Sequence, residues 1–143
     1  MAQADAIFVQ DEQIGVLIGV ENYEQNLDSK GRPNYDNLPT VQEDLRSMER
    51  SMRHLGFERI EKLYNPNFYE LNAFFSKIAA EMDESSKKGF RTLIFVYYTG
   101  HGQMDERVIA VLNEQKSFQL ERKLRNLSIL ESNYVIGLFD CCR

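Results

Sequence analysis

Cysteine and histidine are scarce in this sequence, with two of each among 143 residues. The cysteines, Cys141 and Cys142, are adjacent, and neighbouring cysteines form a disulfide only with strain. A disulfide-stapled fold is therefore not expected, and the composition favours a reduced, cytoplasmic protein. No cysteine or histidine spacing typical of a zinc site is present, and no phosphate-binding glycine loop is found.

Long apolar segments are missing as well. No run approaches the roughly 18 residues that a membrane helix needs. The first residues, MAQADAIFVQDEQ, have neither the basic start nor the apolar core of a signal peptide. We expect residues 1–13 to be an N-terminal extension and residues 14–143 to form one domain, since this length suits a single core.

Positive charge is not in excess. Seventeen lysines and arginines face 22 aspartates and glutamates, for a net charge of −5, and no basic stripe is present. Nucleic acid or an anionic membrane is therefore not expected as the main partner. The acidic balance is compatible with a cationic substrate.

Apolar runs and apolar stripes alternate along the chain. Four segments predict strands, at residues 14–20, 57–64, 92–98 and 134–139, with a shorter strand or hairpin arm at 107–112. Three stripes at helical spacing separate them: Val41, Leu45, Met48, Met52 and Leu55; Leu71, Phe75, Ile78 and Met82; and Leu120, Leu124, Leu127 and Leu130. This order predicts an α/β fold, a mainly parallel sheet with helices on both faces.

Capping patterns predict where the first two helices begin. Thr40 and Glu43 have the spacing of a capping box, and Asn67 and Glu70 repeat it. Gly56 stands where a left-handed helix stop is needed.

Two short motifs follow the third and fourth long strands, TGHG around His101 and DCCR at the end of the chain. Ligands bind beyond the carboxyl ends of parallel strands, so we expect loops after Tyr98 and Phe139 to meet at one edge of the sheet. An imidazole there can favour a thiolate and later return a proton to a leaving amine. Taken singly, each motif could be structural: the glycines beside His101 suit a tight turn, and cysteine is often a small buried hydrophobe.

Together, IFVYYTGHG and VIGLFDCCR resemble the caspase-like cysteine peptidases, a clan of caspases, metacaspases and paracaspases. VLIGVENY resembles the first strand of the clan and the turn after it, and VQEDLRSMERSMRHLGF resembles its first helix. In caspases the histidine lies about 50 residues before the cysteine; here Cys142 follows His101 by 41 residues. The motifs are closer to those of paracaspases and metacaspases than to those of caspases.

The resemblance covers nearly the whole chain and implies a fold and a mechanism. The fold would be a caspase-like three-layer sandwich, corresponding to the large-subunit portion and lacking the small-subunit strands. His101 would be the base and Cys142 the nucleophile, because the family pattern is Asp-x-Cys; Cys141 then occupies a variable position. The backbone N–H groups of Gly102 and Cys142 would form the oxyanion hole.

The same resemblance implies the specificity. Paracaspases and metacaspases cleave after arginine or lysine through acidic residues, and Asp44 and Asp140 match those positions. Two carboxylates facing a guanidinium form charge-assisted hydrogen bonds. The alternative for Asp44 is a solvated acid near the positive end of a helix.

The expected partners are a protein or peptide substrate, with a small-subunit chain or a second copy as candidates for assembly. No cofactor is required and no metal ligand is predicted; calcium dependence, which many metacaspases show, is left open. A catalytically silent, caspase-like scaffold that binds partners is the main alternative function. A redox role for the Cys141–Cys142 pair is less favoured, because thioredoxin-type exchange needs two residues between the sulfurs.

Overall fold

The computed structural model describes residues 11–142, in which strands and helices alternate except for three consecutive strands in the second half. The expected N-terminal extension falls mostly on residues 1–10, outside the described residues. The elements are β1 (Glu12–Gly19), α1 (Val41–His54), β2 (Arg59–Tyr64), α2 (Phe68–Lys87), β3 (Thr92–Asp105), β4 (Arg107–Val111), β5 (Ser117–Phe118), α3 (Leu120–Leu127) and β6 (Asn133–Cys142).

The strands form one mixed sheet. Its parallel part has the order β2-β1-β3-β6, and β4 and β5 continue from the second half of β3 as antiparallel strands. The parallel strands are joined through helices, as crossover connections require. The predicted α/β fold with a mainly parallel sheet is confirmed.

Helices cover both faces of the sheet. On one face, α1 packs on Leu17 and Tyr97 through Val41, Leu45 and Met52. On the other face, α2 and α3 pack on the alternate strand residues in the larger core. This core includes Ile14, Val16, Ile18, Ile94, Val96 and Tyr98 from the strands and Leu71, Phe75, Ile78, Met82 and Leu124 from the helices. Burial of each such side chain contributes about 1.5–3 kcal/mol, so the two faces together hold the three layers.

Helix α1 packs against the face of β1 that carries two glycines. A Cβ at Gly19 would lie 2.6 Å from Val41 Cγ1, and one at Gly15 would lie 2.8 Å from Met52 Sδ. Both glycines therefore leave room that a larger residue would fill. The close approach brings the first turn of α1, with Asp44, toward the carboxyl end of β3.

The helix ends confirm two of the three predicted signals. The Asn67 side chain accepts a hydrogen bond from Glu70 N, and the Glu70 side chain accepts one from Asn67 N, so this capping box is present. Gly56 has φ +94° and ends α1. The capping box predicted at Thr40 is wrong: Thr40 has helical dihedrals (φ −90°, ψ −3°) and its side chain makes no cap hydrogen bond. The chain enters α1 through a turn, in which Val41 N donates to Leu38 O, so Thr40 lacks the extended backbone that a capping side chain needs.

Two apolar residues lie outside the helical stripes to which they were predicted to belong. Leu55 is the C-terminal cap of α1 and is 67% exposed, because the chain turns away at Gly56. Leu130 lies beyond the end of α3 and is 37% exposed. The described residues include no helix that is both long and apolar enough to cross a membrane.

Candidate active site

The TGHG motif is part of a strand. β3 does not end at Tyr98 but continues to Asp105, and β6 continues past Phe139 to Cys142, so the expected loops are absent at these positions. The chain reverses only at Glu106, which has φ +61°. The prediction of a tight turn around His101 is therefore wrong, and the reason is that β4 and β6 extend the ladders on β3.

The glycines beside His101 are needed for packing. A Cβ at Gly100 would lie 2.5 Å from the Tyr98 hydroxyl and 2.9 Å from the Tyr23 hydroxyl. A Cβ at Gly102 would lie 2.7 Å from Cys141 Sγ. Glycine at both positions thus lets side chains from other parts of the site approach the main chain of β3.

The two motifs meet at the carboxyl edge of the parallel sheet. β3 and β6 are parallel neighbours, and their register makes Thr99 and Asp140, Gly100 and Cys141, and His101 and Cys142 direct partners. Neighbouring strands lie about 4.8 Å apart. His101 and Cys142, which are 41 positions apart in the sequence, therefore lie side by side on neighbouring strands.

The imidazole of His101 is oriented by the loop that follows β1. Its Nε2 lies 2.8 Å from the carbonyl oxygen of Asp36. Because a carbonyl only accepts, Nε2 carries the proton, and in the neutral ring Nδ1 is left to accept one. The rings of Tyr23 and Tyr35 lie beside the imidazole, with centroids at 4.6 Å and 5.0 Å. The tautomer is thus the one with a basic nitrogen at Nδ1.

The main chain of His101 is held by two buried phenols. His101 N donates to the Tyr23 hydroxyl at 2.8 Å, and the Tyr98 hydroxyl donates to His101 O at 2.6 Å. Both tyrosines are 0% exposed. Burial raises the pKa of Tyr23 to about 12 and that of Tyr98 well above its usual value, so both hydroxyls keep their protons at neutral pH.

The two aspartates predicted to bind substrate lie on the α1 side of the same edge. Asp140 Oδ2 is 3.2 Å from the Tyr97 hydroxyl, and Asp44 Oδ2 is 3.3 Å from Thr99 Oγ1. Burial, and then the charge of Asp140, raise the pKa of Tyr97 to about 12, and Asp44 adds to this shift. Tyr97 and Thr99 thus each contact one of the two carboxylates. Within residues 11–142 neither carboxylate forms an ion pair with a cationic side chain.

Cys141 and Gly102 lie close together, and the second histidine lies elsewhere. Cys141 is half-buried against the larger core, on the opposite face from Asp140. Gly102 is the register partner of Ala110 in β4, directly after the position where β3 leaves the β6 ladder. His54, the second histidine, is exposed at the end of α1. Among the described residues, no group of three or more His, Cys, Asp or Glu side chains could hold a metal ion.

Several contacts of His101 could not be found from the sequence. Tyr23 and Tyr98 belong to motifs that the resemblance includes, but nothing in those motifs shows that their hydroxyls reach His101. The Asp36 carbonyl is a main-chain group, and the sequence carries no signal for it. Tyr97 and Tyr98 lie on opposite faces of the sheet, Tyr97 under α1 and Tyr98 in the larger core.

No curated protein matches the chain. A model of the peptidase C14 family, the caspase domain, matches residues 12–143, which is nearly the whole chain. The chain therefore belongs to the caspase domain family of cysteine peptidases.

Proposed function

We propose that this chain is a cysteine endopeptidase domain that cleaves proteins after arginine or lysine, with His101 and Cys142 as its catalytic pair. The observation that carries the proposal is the register of β3 and β6, in which His101 and Cys142 are partners at the carboxyl edge of the sheet. By its residue pattern the domain is of the paracaspase or metacaspase type.

The chemistry follows from the tautomer of His101. Nδ1 takes the thiol proton of Cys142, and the thiolate attacks the carbonyl carbon of the scissile bond. The N–H groups of Gly102 and Cys142 stabilise the negative oxygen of the tetrahedral intermediate. When the intermediate collapses, the proton on Nδ1 passes to the leaving amine and a thioester remains. Water then attacks the thioester carbonyl and gives one proton to Nδ1. When the C–S bond breaks, Nδ1 returns that proton to the sulfur, and the product acid leaves as a carboxylate after losing its remaining proton to solvent.

The specificity follows from the two carboxylates on the α1 face. Asp44 and Asp140 are each bonded to one neutral hydroxyl, which leaves further acceptor positions on both. A guanidinium carries five N–H donors, and an ammonium carries three, so either can use these acceptors. A carboxylate in the same place would be repelled, which is why cleavage after aspartate is not proposed.

Hydrolysis of a fluorogenic peptide ending in arginine tests the proposal. Cys142→Ala should abolish hydrolysis, and Cys141→Ala should retain most of it, since Cys141 packs against the core. The assay is run with and without calcium, because the proposal requires no cofactor but leaves calcium dependence open. Hydrolysis that persists in Cys142→Ala, or that is lost only in Cys141→Ala, would refute the assignment.

A second candidate function is a catalytically silent scaffold, and one observation favours it. Tyr134, Ile136 and Leu138 of β6 are 46%, 46% and 44% exposed, and among the described strands β6 pairs only with β3. An open strand edge with exposed apolar side chains can receive a further strand from a small-subunit chain or a second copy. Absence of hydrolysis in every condition, with such a companion chain supplied, would favour the scaffold over the peptidase.

A further inference from the structure

The main chain of β3 changes partners at His101. On the β1 side, the ladder ends where Gly19 pairs with Thr99. On the β6 side, it ends with His101 itself, and the β4 ladder begins at Gly102. The main-chain N–H and C=O of His101 therefore lie beyond the last residue pair of the β1 ladder. They form hydrogen bonds with the hydroxyls of Tyr23 and Tyr98 instead of with a strand.

Both hydroxyls lie beside the same stretch of β3. A Cβ at Gly100 would lie 2.5 Å from the Tyr98 hydroxyl and 2.9 Å from the Tyr23 hydroxyl. His101 N–H can only donate and His101 C=O can only accept, so Tyr23 is the acceptor in one bond and Tyr98 the donor in the other. The Tyr98 hydroxyl also lies 3.4 Å from Val111 O in β4.

We propose that Tyr23 and Tyr98 are positioning residues for the catalytic base, holding the main chain of His101 so that Nδ1 stays in place to take the thiol proton. The inference rests on the proposed function of His101. Both hydroxyls act on the main chain of His101, and the Tyr23 ring also packs against its imidazole. Glycine is needed at position 100 for these contacts, because a Cβ there would collide with both hydroxyls.

The size of the effect follows from the geometry of proton transfer. A displacement of about 1 Å in a catalytic group can cost about a hundredfold in rate. Loss of one hydroxyl leaves the other bond and the ring contacts with Tyr23 and Tyr35, so the displacement is partial. We expect Tyr98→Phe or Tyr23→Phe to lower kcat about tenfold and to change KM less than about twofold.

The rate of alkylation of Cys142 by iodoacetamide, followed by mass spectrometry across pH 5–9 in a Cys141→Ala background, gives a readout that needs no peptide substrate. In the parent protein, His101 keeps the thiolate available at low pH. In Tyr98→Phe and Tyr23→Phe we expect alkylation at pH 6 to fall about tenfold and alkylation at pH 9 to stay unchanged. Tyr64→Phe is the matched control, since it removes a hydroxyl that bonds Glu21 at 2.6 Å and does not contact His101.

Nitrogen-15 NMR of the imidazole separates this inference from the proposed function. With His54→Gln, the only remaining ring signals are those of His101. The parent should show a protonated Nε2, and Tyr98→Phe should shift toward a mixture of tautomers. If Cys142 reacts as an ordinary thiol but the tyrosine variants still change these signals, the proposed pairing fails and the positioning role stands.

The inference is overturned if both tyrosine variants keep the parent signals and the parent pH profile. It is also overturned if alkylation changes equally at all pH values and in proportion to the change in Tm, because a loss of folding alone would produce that. Tyr23→Phe keeps the aromatic ring against His101, so it provides a second variant if Tyr98→Phe does not fold.

Discussion

Replacing Asp140 by asparagine removes one negative charge from the proposed arginine site and keeps the shape of the side chain. Asp140 accepts from the Tyr97 hydroxyl at 3.2 Å, and an amide oxygen can accept the same bond, so the local structure should persist. What is lost is the charge-assisted hydrogen bond to a substrate guanidinium.

The magnitude follows from the exposure of the group. A hydrogen bond to a charged group contributes about 1.5–3 kcal/mol. Asp140 is exposed, so solvent screens its charge and the lower part of that range applies. At about 1.4 kcal/mol for each tenfold change, kcat/KM for an arginine peptide should fall about tenfold.

The assay compares two peptides that differ only in arginine and its neutral isostere, citrulline. The parent protein should prefer arginine, and Asp140→Asn should reduce that preference about tenfold by lowering kcat/KM for arginine alone. Asp44→Asn should act in the same direction, and more strongly, because Asp44 is half-buried against Thr99. Asp105→Asn is the control, since Asp105 is an exposed acid at the end of β3. An unchanged preference in both Asp140→Asn and Asp44→Asn would refute the specificity proposal.

Three further predictions concern stability. Asn67→Ala breaks the capping box of α2 and should cost about 1 kcal/mol, seen as a Tm lower by about 3 °C in thermal unfolding, whereas an unchanged Tm would contradict the bond seen to Glu70 N. Gly102→Ala should lower Tm, and Cys141→Ala should restore part of the loss, since a Cβ at Gly102 would meet Cys141 Sγ; equal Tm values for the single and double variants would contradict this. The pKa of Tyr23 is raised from 10.0 to about 12. Its contribution to the free energy of unfolding is therefore complete below pH 10 and lost as pH rises through 12, by about 2–3 kcal/mol. Tyr23→Phe should reduce this alkaline decline in urea unfolding but not remove it, because the pKa values of Tyr97 and Tyr98 are also raised. A decline of the same size in the variant would show that other groups cause all of it.

The sequence predicts the architecture because the hydrophobic pattern is strong and regular. Strands such as β1 and the first half of β3 are buried on both faces, so their apolar runs leave no other assignment for segments of this length. The order of strands and helices along the chain follows from these assignments. Because that order implies a mainly parallel sheet, it also places the two motifs at the same edge. The wrong predictions concern residues at the ends of α1, Thr40 and Leu55. There the backbone conformation of a single turn determines whether a residue caps the helix or packs in its apolar stripe.

The site is less predictable because its contacts involve backbone groups and strand register. The glycines beside His101 indicate a turn when only local conformation is considered, but the ladders with β4 and β6 stabilise an extended chain instead. The bond from His101 Nε2 to the Asp36 carbonyl depends on the path of a loop, not on the identity of Asp36. Only tertiary structure brings the phenols of Tyr23 and Tyr98 to the two sides of one peptide group.

The pairing of His101 with Cys142 is tested most directly by the pH dependence of Cys142 alkylation in the parent and in His101→Ala, both with Cys141→Ala. If His101 accepts the thiol proton, the parent should react rapidly below pH 7, and His101→Ala should react there at least tenfold more slowly, approaching the parent rate only near the ordinary cysteine pKa of about 8.5. Identical pH profiles for the two proteins would contradict the account.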